Sequence, residues 1–407
     1  MCELLRTLQV PFGSRSPAPA CHEEVIPLLP YAVCFLLTGL ALHLGERRRD
    51  AWGRALLVVG LLLPVLLATL RAPSVGRDVG TYLAPLSEQA LRASDPVDYF
   101  SRISWSGDTR DIEPLFALLV FVSTKTAGGI WGTFFLLEAL NMGLVFSAAK
   151  LLNARLRKIG ARTVSVALCV TLYLFLFYNL SLSVFRQSLA FLIGLVAILL
   201  FTDGKVPHAV AGIVLAMLVH STSVFCLVIF AVWQIARKRW FKLAHVLAAI
   251  TFLVTAFGKW TYGWVMNTIN MVVPVPGRYL SAGYMASSIN VNKAWLYLVV
   301  VMIALVVATR VIGRPDEMDD FFYLVVLFAV ALFPLGVISA NAGRILYYLF
   351  AFFPLVMAKF ATNGCFDVGR RRQVVCIGLL VAAVVYWVGT IGVSDYTDTA
   401  QYVLAFM

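Results

Sequence analysis

Three features predict an all-α polytopic membrane protein. Of 407 residues, 61% are hydrophobic. Only 13% are charged, against about 25% in a soluble domain. The apolar residues also come in long runs, and Lys and Arg gather at every second junction between them. At about 20 residues per crossing, this apolar content suffices for about a dozen spans. An ordinary cytosolic enzyme is excluded, and no stretch remains for a soluble catalytic domain. The net charge of +12, from 33 Lys and Arg against 21 Asp and Glu, would suggest nucleic acid in a soluble protein. Here basic cytoplasmic loops account for it, and no nucleic-acid partner is expected.

Along the chain, residues 1–25 hold Pro11, Pro17 and Pro19 and lack an apolar signal-peptide core, which reads as a flexible tail. Apolar runs at 26–44, 54–71, 130–150, 163–179, 184–202, 207–220, 221–236, 243–262, 294–312, 320–339, 344–360 and 373–392 predict about 12 transmembrane helices, within a range of 10–13. The basic junctions are Arg47-Arg48-Arg49, Arg155 with Arg157 and Lys158, Arg237-Lys238-Arg239, Arg310 with Arg314, and Arg370-Arg371-Arg372. These mark the cytoplasmic side. The alternation closes if residues 113–128, interrupted by Lys125, form a re-entrant or interfacial helix. Both tails (the second is 393–407) and the long polar segments 72–112 and 263–293 then face outward. Residues 26–392 form one helical domain. Trp260, Tyr262, Trp264 and Trp295 fit an aromatic belt at the outer face. The run 207–236, broken at His220-Ser221-Thr222-Ser223, is expected to split into a helical hairpin. Seven cysteines without a CxxC or paired spacing give no disulfide framework or zinc site, and no metal or cofactor is expected.

Arginines on the predicted outer face are not explained by the charge rule. Arg77, Arg186, Arg278 and Arg344 stand out, with Arg71, Arg92, Arg102 and Arg110 in the first outer segment. Arg186 and Arg344 begin or interrupt apolar helices, where a central charge costs about 2.5–3.5 kcal/mol on insertion scales. A guanidinium fork matches diphosphate oxygens in a bidentate way, so converging arginines suit a lipid-linked diphosphate. The plainer alternative for each is snorkelling to headgroups or a local ion pair. In Gly76-Arg77-Asp78-Val79-Gly80-Thr81-Tyr82, a helical turn would put Asp78 and Tyr82 on one face. Glu113 precedes Pro114 at the start of the short helix. Asn179 and Arg186 lie seven apart, on one face if their helix is continuous, with Gln187 adjacent. His220 is a candidate proton acceptor for a sugar hydroxyl. Arg344 with Tyr347 and Tyr348 would offer a cationic and aromatic face, and Arg278 with Tyr279 occupies the last long outer loop. Glu138 and Asn141 form an intramembrane polar pair expected to meet an arginine or the histidine.

The order Gly-Arg-Asp…Tyr at 76–82, Glu-Pro-Leu-Phe at 113–116, Tyr-Asn-Leu-Ser-Leu-Ser-Val-Phe-Arg-Gln-Ser-Leu-Ala at 178–190, Val-His-Ser-Thr-Ser at 219–223 and Arg-x-x-Tyr-Tyr at 344–348 resembles the EpsG-like branch of the Wzy-type O-antigen and exopolysaccharide polymerases. The resemblance runs from about residue 26 to 392, and its most specific part is the 179–190 block followed by His220-Ser221. It implies a GT-C-like, metal-independent glycosyltransferase in the bacterial inner membrane, with its active site facing the periplasm. Such an enzyme moves a growing glycan from undecaprenyl diphosphate to the terminal sugar of an incoming lipid-linked repeat unit in lipopolysaccharide or exopolysaccharide biosynthesis. A chain-length regulator and a flippase are the implied protein partners. On this reading His220 is the base, with Asp78 or Glu113 as substitutes. Arg77, Arg186, Arg278 and Arg344 hold the diphosphates, and Tyr82, Asn179, Gln187, Tyr279, Tyr347 and Tyr348 orient sugar or phosphate. The rivals are an O-antigen ligase or other polyprenyl-linked glycosyltransferase and, outside enzymes, a transporter of lipid-linked oligosaccharide. A transporter should carry broken or charged helices near the midplane of two related halves, whereas the polar residues here gather toward one predicted face.

Overall fold

The computed structural model describes residues 28–71, 76, 78–105, 112–257, 293–313, 315–338, 343–362 and 369–392. Among these residues every regular element is helical. Each of the twelve apolar runs contains helix; most boundaries lie close to the expected ones, but the helix that begins at Ile130 continues to Lys158, past the expected end at 150, and the one that begins at Phe241 ends at Ala256, short of 262. In order they are α1 (Leu28–Arg47), α2 (Ala51–Thr69), α3 (Ala84–Arg92), α4 (Pro96–Trp105), α5 (Pro114–Ala127), α6 (Ile130–Lys158), α7 (Val166–Ser183), α8 (Phe185–Thr202), α9 (Val206–Val219), α10 (Cys226–Arg237), α11 (Phe241–Ala256), α12 (Lys293–Ile312), α13 (Glu317–Ile338), α14 (Leu346–Phe350), α15 (Phe353–Phe360) and α16 (Gly369–Gly392). Among the described residues, eight helices are long and apolar enough to cross a membrane: α1, α2, α6, α7, α8, α12, α13 and α16. The protein is therefore a polytopic membrane protein, all-helical among the described residues. The four other runs, at 207–220, 221–236, 243–262 and 344–360, form shorter apolar helices. The 14 residues of α9 rise only about 21 Å at 1.5 Å each, short of a hydrocarbon core about 30 Å thick. The tails, the segment 263–292, Trp260, Tyr262, Trp264 and Arg314 lie outside the described residues.

The chain divides into two compact units. Unit 1 comprises Met1–Val145, Val166–Leu189 and Ala382–Met407; unit 2 comprises Phe146–Ser165 and Ala190–Val381.

In unit 1, α1 packs against α2 and α7. The close α1–α2 approach depends on a missing side chain at Gly60, where a Cβ would sit 2.9 Å from the Leu42 side chain. Asp50 starts α2 by accepting the Gly53 N–H at 2.8 Å. From the end of α1, Glu46 caps α7, its two oxygens accepting the N–H groups of Val166 at 2.8 Å and Ala167 at 3.2 Å. A carboxylate there satisfies orphan donors and complements the positive end of the helix. α7 is buried along nearly its whole length, as an apolar helix without a polar face must be. Its Tyr178 hydroxyl donates to the Pro64 carbonyl of α2 at 2.6 Å.

The described residues of the polar segment 72–112 hold more structure than its polarity suggests. A π-helical turn (Val79–Leu83) leads into α3, and α4 follows. Both helices have exposed and buried sides, and both pack on α5. Asp95 precedes Pro96 and accepts from the Val97 and Asp98 N–H groups at 2.8 and 2.9 Å. The Arg102 hydrogen bond, with help from the Ser94 N–H, holds the exposed Asp98 carboxyl below the usual carboxylate range. Arg92 and Arg102 form i,i+4 ion pairs with Glu88 and Asp98 on exposed faces. For these two arginines the plain local reading suffices.

In unit 2, α13 packs against α10, α11, α12 and α14. Its N-terminus is an acidic knot. The Asp316 carboxylate accepts the N–H groups of Met318 at 2.9 Å and Asp319 at 3.0 Å, while the Asp319 carboxylate accepts the Asp316 N–H at 3.0 Å. This is a capping box with aspartates in both roles. Lys359 of α15 bridges the two carboxylates at 2.8 and 3.2 Å. Arg155 pairs with Glu317 at 2.5 Å and Arg310 with Asp320 at 2.6 Å. Both arginines belong to junctions read from sequence as orientation signals alone; the structure gives them an ion-pairing role as well. Trp295 departs from the aromatic-belt expectation. It is 4% exposed, stacked edge-on against Tyr347 and Phe350 at 5.3 and 5.8 Å, and covers Gly336 and Gly343. A belt residue would face lipid, and this one fills a protein interior.

Candidate functional site

The expected site residues fall into two groups, one in each unit. Unit 1 holds Asp78, Tyr82, Glu113, Asn179, Arg186 and Gln187; unit 2 holds His220, Arg344, Tyr347 and Tyr348. Arg77, Arg278 and Tyr279 lie outside the described residues.

In unit 1 the chain stops being helical for one residue, Val184, between α7 and α8. The face expected to carry both Asn179 and Arg186 presupposed a continuous helix, and the break removes that premise. Arg186 is instead the second residue of the 18-residue α8, at the positive end of its dipole. Its Nη1 donates to Glu113 Oε2 at 3.0 Å, from the residue that starts α5. Its guanidinium carbon lies 3.8 Å from the centroid of the Tyr82 ring, within the π turn. Residues 113 and 186 are 73 positions apart and meet with side chains only 12% and 11% exposed. Arg186 Nε is buried and has no hydrogen-bond partner among the described residues. The structure thus joins three of the expected residues into one cationic centre with a stacked ring and a counter-carboxylate.

Asp78, the residue before the π turn, is 5% exposed, while Tyr82 is half-buried. The turn is closed by Ala84 N–H to Val79 C=O, five residues apart, so the α-helical spacing invoked for the Asp78–Tyr82 pair does not apply. Asn179 and Gln187 are 6% and 2% exposed, packed inside the unit.

In unit 2, His220 closes α9 with extended backbone (φ −158°, ψ 120°), and residues 221–225 then form a 3₁₀ turn. The break foreseen at this point is present. A hydroxyl chain fixes the turn. Ser223 has one proton and donates it to the Ala216 carbonyl at 3.1 Å; Tyr348 then donates to Ser223 at 2.9 Å and accepts from Thr222 at 3.0 Å. The chain ties the segment after His220 to α14. Arg344, Tyr347 and Tyr348 do not present one face. Tyr347 turns to Trp295, Tyr348 turns to the hydroxyls, and both are nearly fully buried, while Arg344 is half-buried. Tyr348→Phe should therefore unlink the turn and lower stability by about 1–2 kcal/mol, the cost of hydroxyls losing a buried partner. Thermal unfolding of the purified protein in detergent checks this, and a midpoint equal to the parent's would show that the chain is not continuous.

Glu138 and Arg71 complete the unit 1 interior. Glu138 accepts from Asn141 Nδ2 at 3.2 Å and Ser181 Oγ at 3.0 Å. The arginine whose charge reaches it is Arg71, fully buried beyond the end of α2. The signal was an acid in an apolar helix, which is functional by default in a membrane; its partner was not readable from spacing. Among the described residues, no group of three or more His, Cys, Asp or Glu is placed to hold a metal ion.

The fold and these centres define a polytopic helical membrane protein with a buried arginine–carboxylate–aromatic centre at a helix start. The model of the EpsG family matches residues 54–404, most of the chain, and the protein belongs to the EpsG family. Among curated proteins and among solved structures nothing matches it. Membership fits a membrane protein of polysaccharide-polymerase type with glycosyltransferase-like activity.

Proposed function

We propose that the protein is a polysaccharide polymerase of the bacterial inner membrane. It transfers a growing glycan from undecaprenyl diphosphate to the terminal sugar of an undecaprenyl-diphosphate-linked repeat unit at the periplasmic face. The observation that carries this reading is Arg186: a buried guanidinium at a helix N-terminus, braced by Glu113 and Tyr82, with its Nε–H unpartnered among the described residues. A helix start and a guanidinium both favour anions, and together they suit a diphosphate. In the reaction the bond from the anomeric carbon to phosphate oxygen breaks and the acceptor hydroxyl oxygen takes its place. Negative charge grows on the departing lipid diphosphate, where Arg186 stabilises it. The acceptor proton passes to a base, for which His220 is the proposed residue. Glu113, engaged with Arg186, is assigned to holding the guanidinium rather than to taking the proton, and Asp78 remains the substitute base. Arg77, Arg278 and Arg344 are proposed as further diphosphate contacts.

The test is deletion in the native host, followed by analysis of its surface glycan. A polymerase leaves carriers or lipid cores capped with a single repeat unit. Loss of all capped core would identify a ligase, and repeat units retained on the cytoplasmic leaflet would identify a transporter; either result overturns the proposal.

A further inference from the structure

The break between α7 and α8 is held by groups that the proposed chemistry does not use. In an unbroken helix the Leu182 carbonyl would accept the N–H of Arg186. Val184 belongs to neither helix, and Leu182 instead accepts from Arg71 Nη1 at 2.9 Å. The Arg71 guanidinium lies 3.8 Å from the Phe134 ring centroid and 4.6 Å from that of Phe185, the residue before Arg186. Gly76 approaches the same carbonyl. Its φ is +104°, and a Cβ there would fall 2.3 Å from the Leu182 oxygen and 3.3 Å from Ser183 Cα. Only glycine meets both conditions. Glu138 engages the last turn of α7 by accepting from Ser181 at 3.0 Å. Arg71 is 0% exposed against 9% for Arg186, and ordinary helix stability does not need it, since the backbone would satisfy Leu182 unaided.

We propose that Arg71 is a positioning residue: by taking the Leu182 carbonyl out of the helical ladder and stacking on Phe185, it holds the break open and aims Arg186. Gly76 serves the same end by letting the chain after α2 close onto that carbonyl. The inference rests on the reading of Arg186 as the diphosphate anchor. The ring stacking and the planar donor are arginine-specific, so lysine does not replace it.

Two measurements test the inference separately from that reading. In the first, Arg186→Cys is labelled with a water-soluble maleimide, with and without Arg71→Lys, and the labelling rate at position 186 is read by peptide mass spectrometry. A changed rate is expected whatever Arg186 binds, and an unchanged rate overturns the positioning role. In the second, undecaprenyl diphosphate binding in detergent micelles is compared for Arg71→Lys, Arg186→Ala and the double variant. Arg71→Lys should weaken binding by about 10- to 100-fold, the cost of misplacing a binding group by about 1 Å. In the Arg186→Ala background it should change binding by less than about twofold, because independent effects add and a shared one does not. Equal losses in both backgrounds overturn the inference. If Arg186→Ala alone leaves binding intact while the labelling rate responds, the diphosphate reading fails and the positioning stands. Should Arg71→Lys fail to fold, Gly76→Ala reports on the same carbonyl with Arg71 intact and is expected to behave alike in both measurements.

Discussion

Arg186→Ala is expected to lower the rate of glycan polymerisation by about 10²–10³-fold, the usual loss when one group that stabilises developing negative charge is removed. The residue's setting makes so large a figure reasonable. Its side chain is 11% exposed, so its charge acts through little water. Arg186→Lys keeps the charge and loses the planar fork, and should fall between parent and alanine. Glu113→Gln keeps the shape of the carboxylate and loses its charge, which frees the guanidinium from its ion pair at 3.0 Å. If Glu113 holds the arginine in place, the glutamine variant should retain more activity than Arg186→Ala. If it were the base, its loss would match or exceed the arginine's. The measurement is ladder formation from lipid-linked repeat units by purified protein, with equal yield and monodispersity of each variant confirmed in detergent. Polymerisation by Arg186→Ala within about twofold of the parent would remove Arg186 from the mechanism.

What the sequence showed, and what it hid, follows the range of the interactions. The twelve apolar runs were legible because burial in lipid demands a continuous local signal, and each run contains helix. Crossing length was less legible. The run 344–360 looks like one span, yet its helix is interrupted between Phe350 and Phe353. α3 and α4 went unseen because short amphipathic helices carry a weak pattern, although Pro85 in the first turn of α3 and Asp95 before Pro96 were available signals. Arg186 was recognisable as a charge that an apolar helix should not carry. Its partners were not, because Glu113 and Tyr82 lie 73 and 104 positions away and no local rule pairs them. Arg71 was hidden for a further reason. At the end of a helix an arginine reads as snorkelling toward water, and only the packed structure shows it turned inward to the Leu182 carbonyl.

Lys359→Met is expected to be the most destabilising of these substitutions in unit 2, by about 3–5 kcal/mol, the range for breaking a buried ion pair by removing one partner. Lys359 is 7% exposed and bridges the Asp316 and Asp319 carboxylates, whose side chains are 22% and 8% exposed. Methionine fills similar volume, so the effect isolates the charge. Two carboxylates would then face each other at the start of α13 with only backbone N–H groups and the helix dipole to offset them. Because α13 packs against α10, α11, α12 and α14, loosening its first turn should lower the unfolding midpoint of the whole unit rather than fray one end. Asp319→Asn in the Lys359→Met background removes one of the two stranded charges and keeps an oxygen able to accept the Asp316 N–H. It should recover part of the loss, whereas the same substitution in the parent should be destabilising, because Lys359 loses a partner. That reversal of sign separates a charge effect from a packing effect. Thermal unfolding in detergent across the four proteins measures it, and Asp319→Asn acting identically in both backgrounds would show that Lys359 and Asp319 are not coupled.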